Sequence, residues 1–520
     1  MQLQPRRRPP RRAAQTTLLR SIERRGAGRA ATDFAGDSRP ARLRRLHHSV
    51  HGLHQQAPEL SAYRTLIAPQ KAFLVTLAAA TILAVAIWPL KAAIVLCGLG
   101  TALYIVVFLY RLVVFCQVLR RPDQITVTDE EAEAIPDSEL PVYTVMVPAY
   151  HEPDVIAHTI AALEALRYPC DRLDVMLLLE DDDLDTIQAA RAAQPAAHIR
   201  IIEVPTSPPR TKPNACNYGL TFARGTLLTI YDAEDRPDPL QLRRAVAGFR
   251  CLDDSVSCLQ ARLSYHNATQ NILTRWFTAE YLAWFGGLLP ALVRQGVPVP
   301  LGGTSMHIRR SVLERIGAWD PHNVTEDADL GVRMHRLGYR TLVLDSTTYE
   351  EANSDFVNWV KQRSRWYKGY MQTWLVHVRH PLRLLDELGL RGFLAFHLVV
   401  GGTPFIALVN PMFWLLAILW VVVKLPVVAD LFPPLVYYPA MLCMVVGNFF
   451  VLYTHLVILR VSGEERLVWA VVLSPLYWLM MSIAALKAFL QLFTAPWSWE
   501  KTTHGLDLAM TQEVNVDAGE

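Results

Sequence analysis

An α/β domain with a parallel-rich sheet, inserted between membrane helices, is the fold class that this sequence predicts, and three observations predict it. Apolar runs of membrane length stand at 72–89 and 92–115 and again after residue 392, so the hydrophobic share of 52% is concentrated rather than spread. Between them, from about 140 to 345, short aliphatic or β-branched runs alternate with helix-like ones, the pattern of a parallel sheet covered by helices. Charged residues follow several of the short runs, where an open α/β sheet gathers its ligands. A length of 520 residues leaves room for two or three domains with cores of their own.

The chain opens on an Arg-rich arm, residues 1–70. Its first 50 residues hold 13 Arg, no Lys and three acids (Glu23, Asp33, Asp37), a net +10 on a chain whose total is +3. Such asymmetry predicts a disordered cytoplasmic arm near anionic membrane lipids; a solvated tail that only sets topology has the same composition. No aromatic residue interleaves with the arginines before Phe34, so no nucleic-acid partner is expected. The first long apolar run begins near Ala72, and no secretory signal is expected ahead of it.

Residues 71–116 predict a transmembrane hairpin. Its two runs are separated by Pro89 and Lys91, and each is about long enough for a ~30 Å hydrocarbon layer. The arm precedes it and Arg111, Arg120 and Arg121 stand at its far end, which puts both ends in the cytoplasm. Residues 117–391 then form a cytoplasmic domain, with strands at 142–147, 175–179, 199–204 and 227–231 and helices near 154–167, 184–195, 213–224 and 238–250. Seven cysteines make no C-x-x-C pair, so neither a zinc site nor a disulfide framework is expected.

Residues 392–494 predict membrane and interfacial helices, with apolar runs at 392–424, 436–459 and 467–494. Gly401-Gly402-Thr403-Pro404 interrupts the first, which reads as an interfacial helix plus one span or as two spans. One crossing there and a return through 436–459 would leave Arg460 and Arg466 inside. The run at 467–494 fits a surface helix or a true span, and residues 495–520 read as a cytoplasmic tail.

Asp232-Ala233-Glu234-Asp235 follows the buried run 227–231, so its carboxylates project from a strand end. Hard oxygen ligands at i and i+2 suit Mg²⁺ or Mn²⁺ held against a diphosphate, although a solvated acidic turn has the same letters. Thr325-Glu326-Asp327 opens a helix-like stretch. A Thr cap with acids in the first turn favours the helix by itself; a carboxylate aimed into a pocket there would serve as a general base. Gln362-Arg363-Ser364-Arg365-Trp366 lies in an aromatic-rich stretch, where Arg suits bidentate diphosphate contacts and the Trp face a sugar ring. The same residues anchor a helix at headgroups.

With these segments in this order, the chain resembles glycosyltransferase family 2, in particular its membrane-embedded processive members such as bacterial cellulose, hyaluronan and chitin synthases. The resemblance covers residues 140–370 and, more weakly, the chain through 505. It rests on Pro148-Ala149-Tyr150-His151-Glu152, the acids Glu180-Asp181-Asp182-Asp183, Lys212-Pro213-Asn214-Ala215-Cys216-Asn217, Asp232-Ala233-Glu234, Thr325-Glu326-Asp327 and Gln362-x-x-Arg365-Trp366. It implies a GT-A-type α/β domain that uses a nucleotide sugar, usually a UDP-sugar, with Mg²⁺ or Mn²⁺. Glu152, Asp181 and Lys212 would hold the nucleoside and diphosphate end; Asp232 and Glu234 match the metal-binding D-x-D, and Asp327 the catalytic base. Gln362, Arg365 and Trp366 match the element at the diphosphate and the acceptor end of the growing glycan.

Three departures stand out. The metal motif reads D-x-E, with Asp235 beside it as an alternative ligand. The strand-end acids read Glu-Asp-Asp-Asp, which leaves Glu180 and Asp181 as alternatives. Trp499-Glu500-Lys501-Thr502-Thr503-His504-Gly505 occupies the place of a gating loop with only loosely similar letters. The expectation is an inverting polysaccharide synthase in a bacterial-type inner membrane, extending and extruding a β-linked glycan, with export partners conceivable. The rival readings are a transferase that adds a sugar to a polyprenyl phosphate or membrane lipid, and a transporter or scaffold without enzymatic activity.

Overall fold

The computed structural model describes residues 13–26, 38–120 and 122–501. The domain is built on one nine-stranded sheet: β1 (Gln124–Ile125), β2 (Tyr143–Ala149), β3 (Leu173–Glu180), β4 (Ile199–Val204), β5 (Leu227–Ile230), β6 (Arg236–Pro237), β7 (Val256–Tyr265), β8 (Met306–Arg309) and β9 (Arg340–Glu350). The order is β1-β9-β7-β8-β5-β2-β3-β4, with β6 on β9. β2 pairs in parallel with β3 and β5, and β3 with β4, so their carboxyl ends lie along one edge. β8 runs antiparallel between β5 and β7, which mixes the sheet.

This is a GT-A-like α/β fold with helices on both faces. The central strands are buried along their length, as parallel strands covered on both sides must be. One core lies under the helices Ile156–Glu164 and Gln241–Arg250, and a second under Lys212–Leu220 and Glu326–Arg336. The early strands and helices stand where the sequence places them. The long β7 and β9 do not show as alternating runs, because polar residues such as Gln260, Ser346 and Thr348 are buried with hydrogen-bond partners inside the sheet.

The arm departs from expectation. Ala13–Gly26 and Arg39–Gln56 are helices, and Leu18, Leu19, Ile22 and Leu53 are buried in the second core. A reading from charge alone misses this, since buried apolar residues recur among arginines that are mostly exposed, Arg45 excepted. Residues 1–12 and 27–37, which hold much of the basic charge, lie outside the described residues.

Among the described residues, five helices are long and apolar enough to cross a membrane: Ala68–Ile87, Pro89–Val118, Pro381–Val421, Pro434–Ser462 and Ser474–Thr494. The third contains a kink at Gly389, whose φ of 67° is open to glycine at little cost. The interruption at 401–404 does not break that helix; it follows a π-helical turn at His397–Gly401. The last run, left open between surface and span, meets the length and composition of a span.

Candidate active site

The strand ends deliver their charged groups to one rim of a cavity of about 750 Å³. Glu152 follows β2, Glu180 ends β3, and Asp232 and Glu234 follow β5; all four line it. Lys212, first residue of its helix, reaches the same rim, where its ammonium pairs with Asp232 and donates to the Gly303 carbonyl at 2.8 Å. Glu326 and Asp327 enter from the first turn of the helix Glu326–Arg336, and Gln362, Arg365 and Trp366 from the helix Phe356–His377. These two helices meet closely at Gly369, where a Cβ would lie 2.6 Å from the Thr325 amide nitrogen. Glycine at this position lets the Arg365 turn approach Asp327.

Eight of the nine predicted residues are therefore brought together. Asp181 is not among the cavity-lining residues: its carboxylate accepts from the amide and hydroxyl of Thr206, at 2.9 and 2.7 Å, and ties β3 to the turn after β4. Glu180 takes the position on the cavity. Its carboxyl is pushed up to about 7 by burial, against Arg210 and with Asp182 adding to the rise. The alternation of the strand decides which acid faces in, and four consecutive acids conceal that alternation in the sequence.

The electrostatics separate neighbouring carboxyls. Burial raises Glu326 to about 8, helped by the charge of Asp327. Burial also raises Asp327, but only to about 6, because the Ala328 amide at 2.8 Å and the cations Lys212 and Arg365 support its charge. Burial thus raises both of the adjacent acids, and the Ala328 amide gives Asp327 a hydrogen bond that supports its charge. Burial opposes the charge of Lys212, yet Asp232 and Glu326 raise it above the ordinary lysine value. Burial lowers Arg365 against the attraction of Glu326, Asp232 and Asp327, and a guanidinium remains cationic there.

Asp232 and Glu234 are hard oxygen donors one residue apart on an accessible rim, a donor set that fits Mg²⁺ or Mn²⁺ with further positions filled by other oxygens. Asp235 does not share that exposure. It is buried, accepts from the Asp232 amide at 2.8 Å and from the Thr304 hydroxyl, and is held well above the carboxylate range by burial beside Asp232 and Glu234.

Further residues of the quoted segments, given no contact of their own by the sequence, also join the rim. Arg363 lies 4.6 Å from the Trp366 ring centroid and pairs with Glu280, so one face of the indole meets a guanidinium. Trp499 lies against Arg365, with the guanidinium 4.1 Å from the ring centroid, and Lys501 pairs with Glu152 at 3.1 Å. The first part of the proposed gating loop therefore touches the rim; residues 502–505 lie outside the described residues. From Trp366 the cavity continues between the membrane-length helices, lined there by Tyr104, Arg111, Thr403, Asn410, Asn448 and Trp478.

Residues 141–369 match a family described as "Glycosyltransferase like family 2". Over these residues the sheet domain is similar to family 2 glycosyltransferases. Among similar proteins is the probable glycosyltransferase YdaM of Bacillus subtilis, 30% identical over 239 residues, 44% of this chain and 56% of the relative. A beta-monoglucosyldiacylglycerol synthase of Synechocystis is 26% identical over 262 residues, covering 49% and 54%. Glucomannan 4-beta-mannosyltransferase 1 of Oryza sativa is 27% identical over 311 residues, covering 54% and 56%. The chain thus spans about half the length of these relatives. Among solved structures, a mannosyltransferase from Pyrobaculum calidifontis in complex with GDP-Man and Mn2+ overlays with a TM-score of 0.48 at 19% identity, covering 75% of this chain and 99% of that one.

Proposed function

We propose that this chain is an inverting, processive glycosyltransferase that extends a β-linked glycan from a nucleotide sugar and passes it into the membrane helix bundle. The observation that carries this reading is the continuity of one cavity, from the Asp232–Asp327 rim to the bundle residues Tyr104, Asn410 and Trp478. Aromatic faces interleaved with amides and hydroxyls suit a chain of sugar rings, whose faces are apolar and whose edges are hydrogen-bonding.

On this reading Glu152, Glu180 and Lys212 bind the nucleoside diphosphate end of the donor. Asp232 and Glu234 would hold a divalent ion, which when bound supplies positive charge to the donor diphosphate. Asp327 takes the proton from the acceptor hydroxyl as that oxygen attacks the anomeric carbon, and Glu326, protonated beside it, adds no opposing charge. Arg365 and Lys212 stabilise the diphosphate as it leaves. Gln362 and Trp366 position the acceptor sugar, with Arg363 backing the indole. Attack in a single displacement inverts an α-linked donor to a β-linked product.

The family relatives include enzymes named for a polysaccharide product and for a glycolipid product, so product size is the deciding measurement. The protein purified in detergent, given radiolabelled UDP- and GDP-sugars with Mg²⁺ or Mn²⁺, is expected to yield high-molecular-weight β-linked glycan and free nucleoside diphosphate. A single labelled sugar on a lipid would replace this reading with the lipid transferase. Absence of diphosphate release from every donor would remove the enzymatic reading.

A further inference from the structure

The segment 495–501 crosses the charged rim and is held there partly by the other end of the chain. Trp499 and Lys501 touch Arg365 and Glu152 as described, and Lys501 also donates to the His151 carbonyl at 2.5 Å. The start of the segment is anchored by the helix Phe356–His377: Lys368 donates to the carbonyls of Ala495 and Ser498, at 3.1 and 2.8 Å. Gln372 donates to the Pro496 carbonyl at 2.9 Å and accepts from the Val324 amide at 3.1 Å, just ahead of Glu326 and Asp327.

Trp497, between these anchors, turns toward a cluster of rings from the N-terminal arm. Its indole stacks on Tyr63 at 5.8 Å and meets the His322 ring edge-on at 5.2 Å, while its N–H donates to the Ala62 carbonyl at 3.2 Å. Around Tyr63 stand His54 at 4.3 Å, His322 at 4.9 Å and His51 at 6.1 Å. His47, His51 and His54 occupy one face of the helix Arg39–Gln56, at the spacing of successive turns. Asp320, fully buried, accepts from the Ser61 hydroxyl at 3.2 Å, the Ala62 amide at 2.5 Å and the His322 amide at 3.1 Å. The arm is thereby tied to the loop that runs through Asn323 into Thr325-Glu326-Asp327.

We propose that Tyr63 is a positioning residue: through Trp497 and His322 it holds the 495–501 strap on the rim, and the histidines beside it weaken that hold in acid. The apolar anchoring of the arm is supplied elsewhere, by Leu18, Leu19, Ile22 and Leu53, so its attachment does not need a cluster of imidazoles. Packed imidazoles are compatible with one another only while mostly neutral. Burial lowers His51, and His47, His322 and His54 lower it further. Burial likewise lowers His54, with His322, Arg64 and Arg379 adding to the effect and Asp320 opposing it. The sign follows: a histidine lowered in the packed state favours that state above its unperturbed pKa of about 6.5, and the contribution is lost as pH falls below it. The consequence for turnover rests on the donor reading of the rim; the hold itself does not.

Hydrogen–deuterium exchange of the full chain in detergent, read on a peptide covering 490–501, tests the hold without any donor. Tyr63→Ala is expected to raise exchange there about threefold to tenfold, the scale of a lost aromatic packing contact. Tyr63→Phe is expected to match the unmodified protein, because no hydrogen bond is made by the Tyr63 hydroxyl among the described residues. The unmodified protein is expected to exchange faster at about pH 5.5 than at about pH 7.5 after correction for intrinsic rates, and His51→Phe/His54→Phe to reduce that difference. In turnover assays Tyr63→Ala should raise the donor KM with kcat within about twofold. Unchanged exchange in Tyr63→Ala, or no pH response in the unmodified chain, overturns the proposal. Should Tyr63→Ala not fold, the pH comparison and the histidine variant decide. Exchange that responds while no nucleotide sugar binds overturns the donor reading of the rim and leaves the hold standing.

Discussion

At the sheet edge the cavity sets carboxylates among cations and amides, whereas between the membrane-length helices the same cavity is lined by aliphatic and aromatic side chains with a few amides and hydroxyls among them. Lys212 pairs with Asp232, and Lys212, Arg365 and the Ala328 amide all support Asp327. Farther in stand Tyr104, Thr403, Asn410, Asn448 and Trp478, with Arg111 as the cation of that stretch. On the proposed reading the difference follows two tasks. Displacing a diphosphate needs fixed charge of both signs at defined places, while a glycan moving through a bundle needs many weak, replaceable contacts. Substitutions at the rim should therefore abolish chemistry, and substitutions in the bundle should change what is made.

The largest effect is expected at the rim. Asp327→Asn should lower turnover by about 10²–10⁴-fold while donor affinity, read by calorimetry, stays within about threefold, because the amide keeps the size and cannot accept the proton. Loss of fold in the same variant would mean that the residue serves the helix end instead. Asp232→Ala should follow, with turnover about 10²–10³-fold lower and no longer restored by Mg²⁺ or Mn²⁺ after chelation. Full turnover of the unmodified protein in excess chelator would remove the metal assignment.

A third effect is graded. Since Asp327 lies at about 6 and must be ionised to act, kcat should fall as pH drops through 6, approaching about tenfold per unit below it. A profile flat from pH 7 down to about 5 would place the base elsewhere. The smallest effect belongs at the junction of the two regions. Trp366→Ala should shorten the product about threefold to tenfold with less change in slow donor hydrolysis, since water needs no stacking surface. Equal loss of both would assign the indole to the support of Arg363 and Arg365.

Much of the rim is legible in the sequence because it is written in contiguous motifs at strand ends and helix starts. Asp232 and Glu234 follow a strand and Asp327 opens a helix, while the choice of Asp327 over Glu326 rests on the family resemblance and not on spacing. Glu180 and Asp181 mark the limit: one ends β3 and the other follows it, and only the pleat, seen through the pairing of β3 with β4, shows that Glu180 lines the cavity while Asp181 bonds Thr206. Lys501 on Glu152 and Tyr63 on Trp497 are contacts across more than 300 residues, which no local pattern encodes. The helices of the arm were hidden for a different reason. Their arginines dominate the composition, while burial is carried by a few leucines and one isoleucine.

The central claim is that the rim and the bundle are one path, used by a growing chain. Gly447 lines the membrane end of the cavity, and a Cβ there would meet only Phe108, at 3.8 Å, so the helix has room for a side chain at that position. Gly447→Trp is therefore the most direct test, with product length and donor hydrolysis measured on the same purified protein. The account predicts hydrolysis within about twofold of the unmodified protein and products cut to short oligosaccharides, since a filled bundle leaves the chemistry intact and blocks only passage. Glycan of unmodified length from Gly447→Trp would show that the chain does not travel this way, and would contradict the account.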